Sequence, residues 1–194
     1  LCWTVLTSRS DQNPGNNDPA LFVLEEKGIL ICKNTTNIMA VSAESGDLIW
    51  EYRYHQNKGN NFRGLSPDEN LFMIMDSEDI YGEPHFLYAL DTGSGQIAGQ
   101  TDLSGPDYEI DLRDWDDWYR SGCIFSEDGN RMVAAVYEEV LDEKKEETVD
   151  YQCMFFLIDT ENWEITNQAW LSGIPRSYAG IIYGMHLKPQ TDNL

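Results

Sequence analysis

The chain is short of bases. Thirteen Lys and Arg stand against 34 Asp and Glu, for a formal net charge of −21 over 194 residues. A surface of that sign repels phosphate backbones and excludes a nucleic-acid binder. It is compatible with a basic protein or peptide, or with a divalent cation, beside the plainer reading that the charge maintains solubility. Histidine is scarce as well. His55, His85 and His186 are scattered near expected strand ends, where surface and packing roles are the default. The four cysteines, at 2, 32, 123 and 153, lack metal-ligand spacing. Cys32, Cys123 and Cys153 lie in apolar runs and are expected to be buried free thiols, small core residues rather than ligands.

Other absences narrow the class further. No apolar run approaches the ~18 residues that span a bilayer. Residues 1–7 are apolar but too short, and lack the basic flank, for an intact signal peptide. Without an initiator Met, the chain is expected to be processed or excised from something longer. There is no glycine loop of the Walker or Rossmann type to cradle phosphates. No stretch of about twelve residues keeps a helical period, so helix is expected to be nearly absent.

What is present is strand, and it repeats. Ala40-Val41-Ser42-Ala43-Glu44-Ser45-Gly46-Asp47-Leu48-Ile49-Trp50 returns as Ala89-Leu90-Asp91-Thr92-Gly93-Ser94-Gly95-Gln96-Ile97-Ala98-Gly99, and more faintly as Leu157 to Asn167. Each copy is a strand, a polar turn and a second strand, and each closes a longer unit. A second repeated turn, Ser66-Pro67-Asp68-Glu69-Asn70 and Ser126-Glu127-Asp128-Gly129-Asn130, separates the first two strands of a unit. β-branched and aromatic runs bounded by Gly, Asn, Asp and Ser are what strands and tight turns require.

Self-similarity at roughly 40 to 70 residues with short strands predicts an all-β chain. The expected fold is a β-propeller or partial propeller of about three to four four-stranded antiparallel blades in one domain. The blades are expected at 20–56, 62–105, 119–173 and, incomplete, 178–194. Leu65, Phe72, Ile74, Leu87, Leu90, Ile124, Val133, Phe155 and Leu157 are expected within or between the sheets, with Trp50 packed on a neighbouring blade. Closed propellers use about four to eight blades. Either N-terminal strands such as Trp3 to Leu6 complete a fourth sheet, or the chain is an arc whose remaining blades come from a longer parent chain or another copy.

The turn phrase resembles the tryptophan-docking motif AxDxxTGxxxW of quinoprotein-type propellers. Ala40, Ser45, Gly46 and Trp50 match at its spacing, with Ser42 in place of Asp. Ala89, Asp91, Ser94 and Gly95 match in the second copy, where Gly99 replaces the tryptophan; the third keeps Asp159. The Ser-x-Asp turns are more similar to those of WD40 and TolB-like propellers. The resemblance implies the fold over residues 20–190. It also implies two functional classes, a pyrroloquinoline-quinone dehydrogenase or a scaffold of the BamB kind. Adjacent cysteines, typical of the dehydrogenases, are absent, so the expectation is no enzyme and no cofactor. An extracytoplasmic location follows from the resemblance alone.

The constellation carrying recognition chemistry is Asp107 to Tyr119, which interleaves acids with Trp115, Trp118 and Tyr119. Exposed aromatics beside carboxylates suit a cation or basic chain through cation–π contacts and charge pairing. Alternatively the aromatics pack between blades and the acids are merely solvated, or the acids take calcium, although the spacing is not that of an EF-hand loop. The expected partner-binding residues are Asp111, Asp114, Trp115, Asp116, Asp117 and Trp118, with Glu78 and Asp79 from a neighbouring loop. In a blade, the second-to-third-strand loops share one rim with the inter-blade links. Segments 76–84, 106–118 and 138–150 hold 17 of the 34 acids and only Arg113, Lys144 and Lys145. The expected function is a non-enzymatic scaffold presenting this acidic rim to a basic partner. A fragment of a quinoprotein-like or hydrolytic propeller enzyme is the alternative.

Overall fold

The computed structural model describes residues 20–33, 37–55, 64–77, 85–103, 122–141 and 148–172. These residues form twelve strands and no helix. The first sheet comprises β1 (Ala20–Leu24), β2 (Ile29–Lys33), β3 (Asn37–Ser42) and β4 (Leu48–Arg53). The second comprises β5 (Gly64–Leu65), β6 (Leu71–Ser77), β7 (His85–Asp91) and β8 (Ile97–Asp102). The third comprises β9 (Gly122–Phe125), β10 (Arg131–Leu141), β11 (Thr148–Asp159) and β12 (Glu164–Ser172). In each sheet the strands lie in chain order and pair antiparallel.

The sheets stack through alternating side chains. Successive residues of a strand face opposite sides, and in the second sheet both sides are apolar. Phe72, Ile74, Tyr88 and Leu90 join a core with Leu24, Ile31, Ile38 and Ala40 of the first sheet. Met73, Met75, Leu87 and Ala89 join another with Met132, Ala134, Met154 and Phe156 of the third. At the inner edges β5 approaches β9. There Gly64 lies against the Cys123 sulfur and leaves no room for a Cβ. Consecutive four-stranded antiparallel sheets, stacked face to face and contacting at their first strands, are the blades of a partial β-propeller.

The repeated turns close with the same hydrogen bonds. The N–H of Gly46, Gly95 and Trp163 donates to the carbonyl of Ser42, Asp91 and Asp159 respectively, at 2.8, 2.7 and 2.8 Å. All three donors have positive φ, at 78°, 71° and 62°. The third turn therefore keeps the geometry although Trp163 replaces glycine. Asn70 and Asn130 N–H donate to Asp68 and Asp128, which also accept from the hydroxyls of Ser66 and Ser126 and from the Asn70 and Asn130 side-chain amides. Each first turn is tied to the second turn of its own blade, Gly28 O to Ala43 N, Asn70 O to Thr92 N and Asn130 O to Thr160 N.

Phe72, Ile74, Leu87 and Leu90 are fully buried, and Leu65, Ile124, Val133, Phe155 and Leu157 are half-buried. Cys153 is buried, Cys32 and Cys123 are half-buried, and all three are free thiols. One expectation needs correcting. Segments 76–84 and 138–150 read in sequence as loops between second and third strands, but β6 runs on through Ser77, β10 through Leu141, and β11 begins at Thr148. Val140, Thr148, Val149 and Tyr151 are strand formers, and the antiparallel ladder continues through them despite the charge. The incomplete unit at 178–194 lies outside the described residues.

Candidate functional site

The strand directions sort the connections onto two rims. Turns joining first to second and third to fourth strands leave from one end of each sheet. Links from β4 to β5, β6 to β7, β8 to β9 and β10 to β11 leave from the other. The expected binding residues Asp111, Asp114, Trp115, Asp116, Asp117, Trp118, Glu78 and Asp79 belong to these second links and lie outside the described residues. What the structure describes of that rim is its border at the seam between the first and second sheets.

The seam border is built around Asp76. Its position in β6 continues the parity of Phe72 and Ile74, so the strand directs a carboxylate toward the first sheet. Asp76 is 4% exposed. Burying a charge is costly unless donors surround it, and the first sheet supplies them. Asp76 Oδ2 accepts from Tyr52 Oη at 2.9 Å and from the His55 N–H at 3.1 Å, and meets His55 Nδ1 at 3.0 Å. The His55 side chain is 53% exposed, so its far side borders solvent. A carboxylate orients the ring by accepting a hydrogen bond from Nδ1–H.

Aromatic rings surround this group. Tyr52 meets Tyr54 edge-on with centroids 5.9 Å apart, and His55 at 6.5 Å. Phe86 and Tyr88 stand 5.7 Å apart on the second sheet. The Lys33 ammonium lies 5.6 Å from the centre of the Tyr54 ring, within cation–π reach. Burial, and then the charge of Asp76, pushes the Tyr52 and Tyr54 phenols well above their ordinary range. The Tyr54 hydroxyl is enclosed without a hydrogen-bond partner among the described residues.

In sequence Asp76 reads as one of the rim acids and His55 as a surface residue, and the two are not paired there. One signal was available. A carboxylate two residues beyond Phe72 and Ile74 on the core parity demands donors, and Tyr52 and His55 stand at the end of the preceding sheet. Among the described residues no group of three or more His, Cys, Asp or Glu is placed to hold a metal ion.

The fold and this seam define the class, a partial β-propeller. No protein-family model matches the chain, and no curated protein does. Solved structures similar to it include an acylaminoacyl peptidase in complex with Z-Gly-Gly-Phe-chloromethyl ketone, at 15% identity and TM-score 0.48 over 78% of this chain and 25% of that one. BamB from Moraxella catarrhalis matches at 10% and 0.44 over 77% and 36%. A putative 6-phosphogluconolactonase from Bacteroides fragilis matches at 13% and 0.43 over 81% and 42%. The chain thus spans less than half the length of these structures. Likeness of this degree transfers no function, and the blade architecture stands on the sheet topology itself. The fold alone does not separate binding from catalysis.

Proposed function

We propose that the chain is a non-enzymatic protein-binding module whose link rim receives a basic protein or peptide, with calcium as a second cation that the rim can attract. The supporting observation is the coincidence of strand direction with charge. The links 54–63, 78–84, 103–121 and 142–147 leave the sheets from one end and hold 13 of the 34 acids against six bases. Such a rim attracts a cationic partner rapidly, and salt weakens that attraction. An extracytoplasmic location accompanies this reading through the family resemblance only.

The test uses the whole chain and a fluorescent oligolysine peptide followed by anisotropy. Binding should weaken with salt, and an oligoglutamate peptide should not bind. Replacing Asp114, Asp116 and Asp117 with Asn should slow association and flatten the salt dependence. If both survive that change, the acids act in solubility and the site lies elsewhere.

The His55–Asp76 couple favours a second reading, a fragment of a quinoprotein-like or hydrolytic propeller enzyme. A buried carboxylate orienting a half-exposed imidazole is the arrangement of a general base. Under that reading His55→Gln would abolish turnover of an ester panel while leaving oligolysine binding intact.

A further inference from the structure

The outer strands of the three sheets differ in how they are held. β4 and β8 have six residues each. Both are sealed to the following sheet by an indole lying on a glycine, Trp50 on Gly95 and Trp163 on Gly99, where a Cβ would enter the ring. β12 has nine residues, and Asn167, at the position of Trp50 and Gly99, is exposed. Ile165 still packs half-buried against the core, but from Thr166 to Ser172 every residue is exposed. Successive residues face opposite sides, so this flank stands clear on both faces, with Trp170 at 56% and Leu171 at 51%.

The open side of β12 is a row of backbone. The strand pairs with β11 from Asp159↔Glu164 to Gln152↔Ser172 and ends the sheet order among the described residues. Leu157 O of β11 accepts from Thr166 Oγ1 at 3.1 Å, so position 157 faces β12, opposite Asn167. Positions bonded to the partner strand alternate with positions that point away from it. Gln168, one step on, therefore aims its amide at the open edge, where Asn167 Oδ1 accepts it at 2.8 Å. Edges are ordinarily blunted by lysine, proline or brevity. Ile165 to Ser172 contains no charge and no proline.

The surrounding charges select the occupant. Residues 148–172 hold Asp150, Asp159, Glu161 and Glu164 and no Lys, Arg or His. Three of these acids stand at or before the start of β12. Asp150 lies on β11 two residues beyond the Gln152↔Ser172 pair, at the end that opens on the link rim. The track is uncharged along its length and acidic at both ends.

We propose that the β12 edge accepts an extended segment of a protein partner as a fifth strand, uncharged over about eight residues and carrying Lys or Arg at each end. The added strand replaces the Asn167 side chain as acceptor for the Gln168 N–H and lays β-branched residues beside Trp170 and Leu171. This rests on the reading of a basic partner and adds where and how it is held. A second copy does not fit. Pairing two β12 edges would set four acids against four with no base between them.

The test titrates the whole chain with two labelled, end-blocked peptides of equal charge. One is Lys-Arg-Thr-Val-Ser-Ile-Thr-Val-Ser-Thr-Lys-Arg; in the other the central Ile-Thr is Pro-Pro, which removes a donor from each edge of the peptide. The first should bind at least about tenfold more tightly, and Gln168→Pro should bring it down to the level of the second, since proline is tolerated on an open edge. Oligolysine binding should be the same in that variant as in the wild type. In the unsubstituted chain, the Gln168 amide should exchange with deuterium about tenfold more slowly once the first peptide saturates it. That measurement stands even if the proline variant does not fold. Equal affinity for the two peptides, or unchanged exchange at Gln168, overturns strand addition while oligolysine binding persists. So does a Gln168 amide already as protected in the free chain as the β11 ladder, because the chain itself would then fill the edge. Failure of every cationic peptide to bind overturns the basic-partner reading as well.

Discussion

Trp163 and Gly99 form the same seal as Trp50 and Gly95 with the two partners exchanged. At the first seam the outer strand carries the indole and the following turn carries the glycine. At the second the outer strand carries the glycine and the following turn the indole, at a position with φ 62°. Thr101 Oγ1 donates to Trp163 O at 2.9 Å and fixes the inverted turn. Gly99 is therefore the other half of an interlock, rather than a lost tryptophan.

The exchange can be made or unmade by mutation. Gly99→Ala should cost about 1–3 kcal/mol through overpacking against Trp163. Gly95→Ala should cost a further ~1–2 kcal/mol, because its φ is left-handed. Trp163→Gly and Gly99→Trp should each destabilise the chain alone. The double variant restores the arrangement of Trp50 and Gly95 and should recover much of the loss in urea denaturation. Additive losses would mean that the ring does not seal this seam.

Lys27 crosses from the first blade to the second and hydrogen-bonds neutral acceptors there, with its charge also felt at Asp91. Its ammonium donates to Glu69 O at 2.8 Å, Asn70 Oδ1 at 2.7 Å and Thr92 Oγ1 at 2.8 Å. Lys27→Met should cost about 1–2 kcal/mol, the scale of hydrogen bonds from a charged group at a partly exposed site. Because the acceptors are neutral, the cost should be nearly the same at low and high salt. A cost that disappears in high salt would point to long-range attraction by the chain's acids instead.

Asp76 is the acceptor on which the seam border depends. Asp76→Ala should destabilise by about 3 kcal/mol or more, since it leaves the half-buried Tyr52 without its acceptor and takes the His55 N–H acceptor away as well. Tyr52→Phe removes one donor from a carboxylate that keeps its His55 contacts, and should cost about 1 kcal/mol. Equal losses from the two variants, measured in urea, would contradict the arrangement.

The titrating groups limit stability at both ends of the pH scale. Tyr52 and Tyr54 are raised above the unfolded value of about 10. Their contribution is complete below that value and is lost as pH climbs toward the folded values. Tyrosinate absorbance should therefore show two phenols that ionise only with unfolding. Asp68, Asp91 and Asp128 are held low, chiefly by the hydroxyls of Ser66, Ser94 and Ser126. Their contribution is present above about pH 4 and falls away as pH drops through the folded values. Asn at all three positions should flatten the acid side of the stability profile. A profile unchanged from wild type would dismiss these turns as its source.

What local chemistry governs is legible along the chain. Alternation along Phe72 to Met75 and Phe86 to Leu90, and the turn residues Ser66 to Asn70 and Asp91 to Gly95, specify strands and hairpins over a few neighbouring residues, so the blades were legible. Of the 17 acids in segments 76–84, 106–118 and 138–150, 13 do fall in links, because a link follows from strand order alone. Only the tertiary structure decided which residues meet across a seam. Trp163 with Gly99, Lys27 with Thr92, and His55 with Asp76 are 64, 65 and 21 residues apart in the chain. Nothing in their local sequences ties them together. Their contacts arise from stacking one finished sheet on the next, where the partner of a side chain is set by sheet rotation and spacing rather than by its own neighbours.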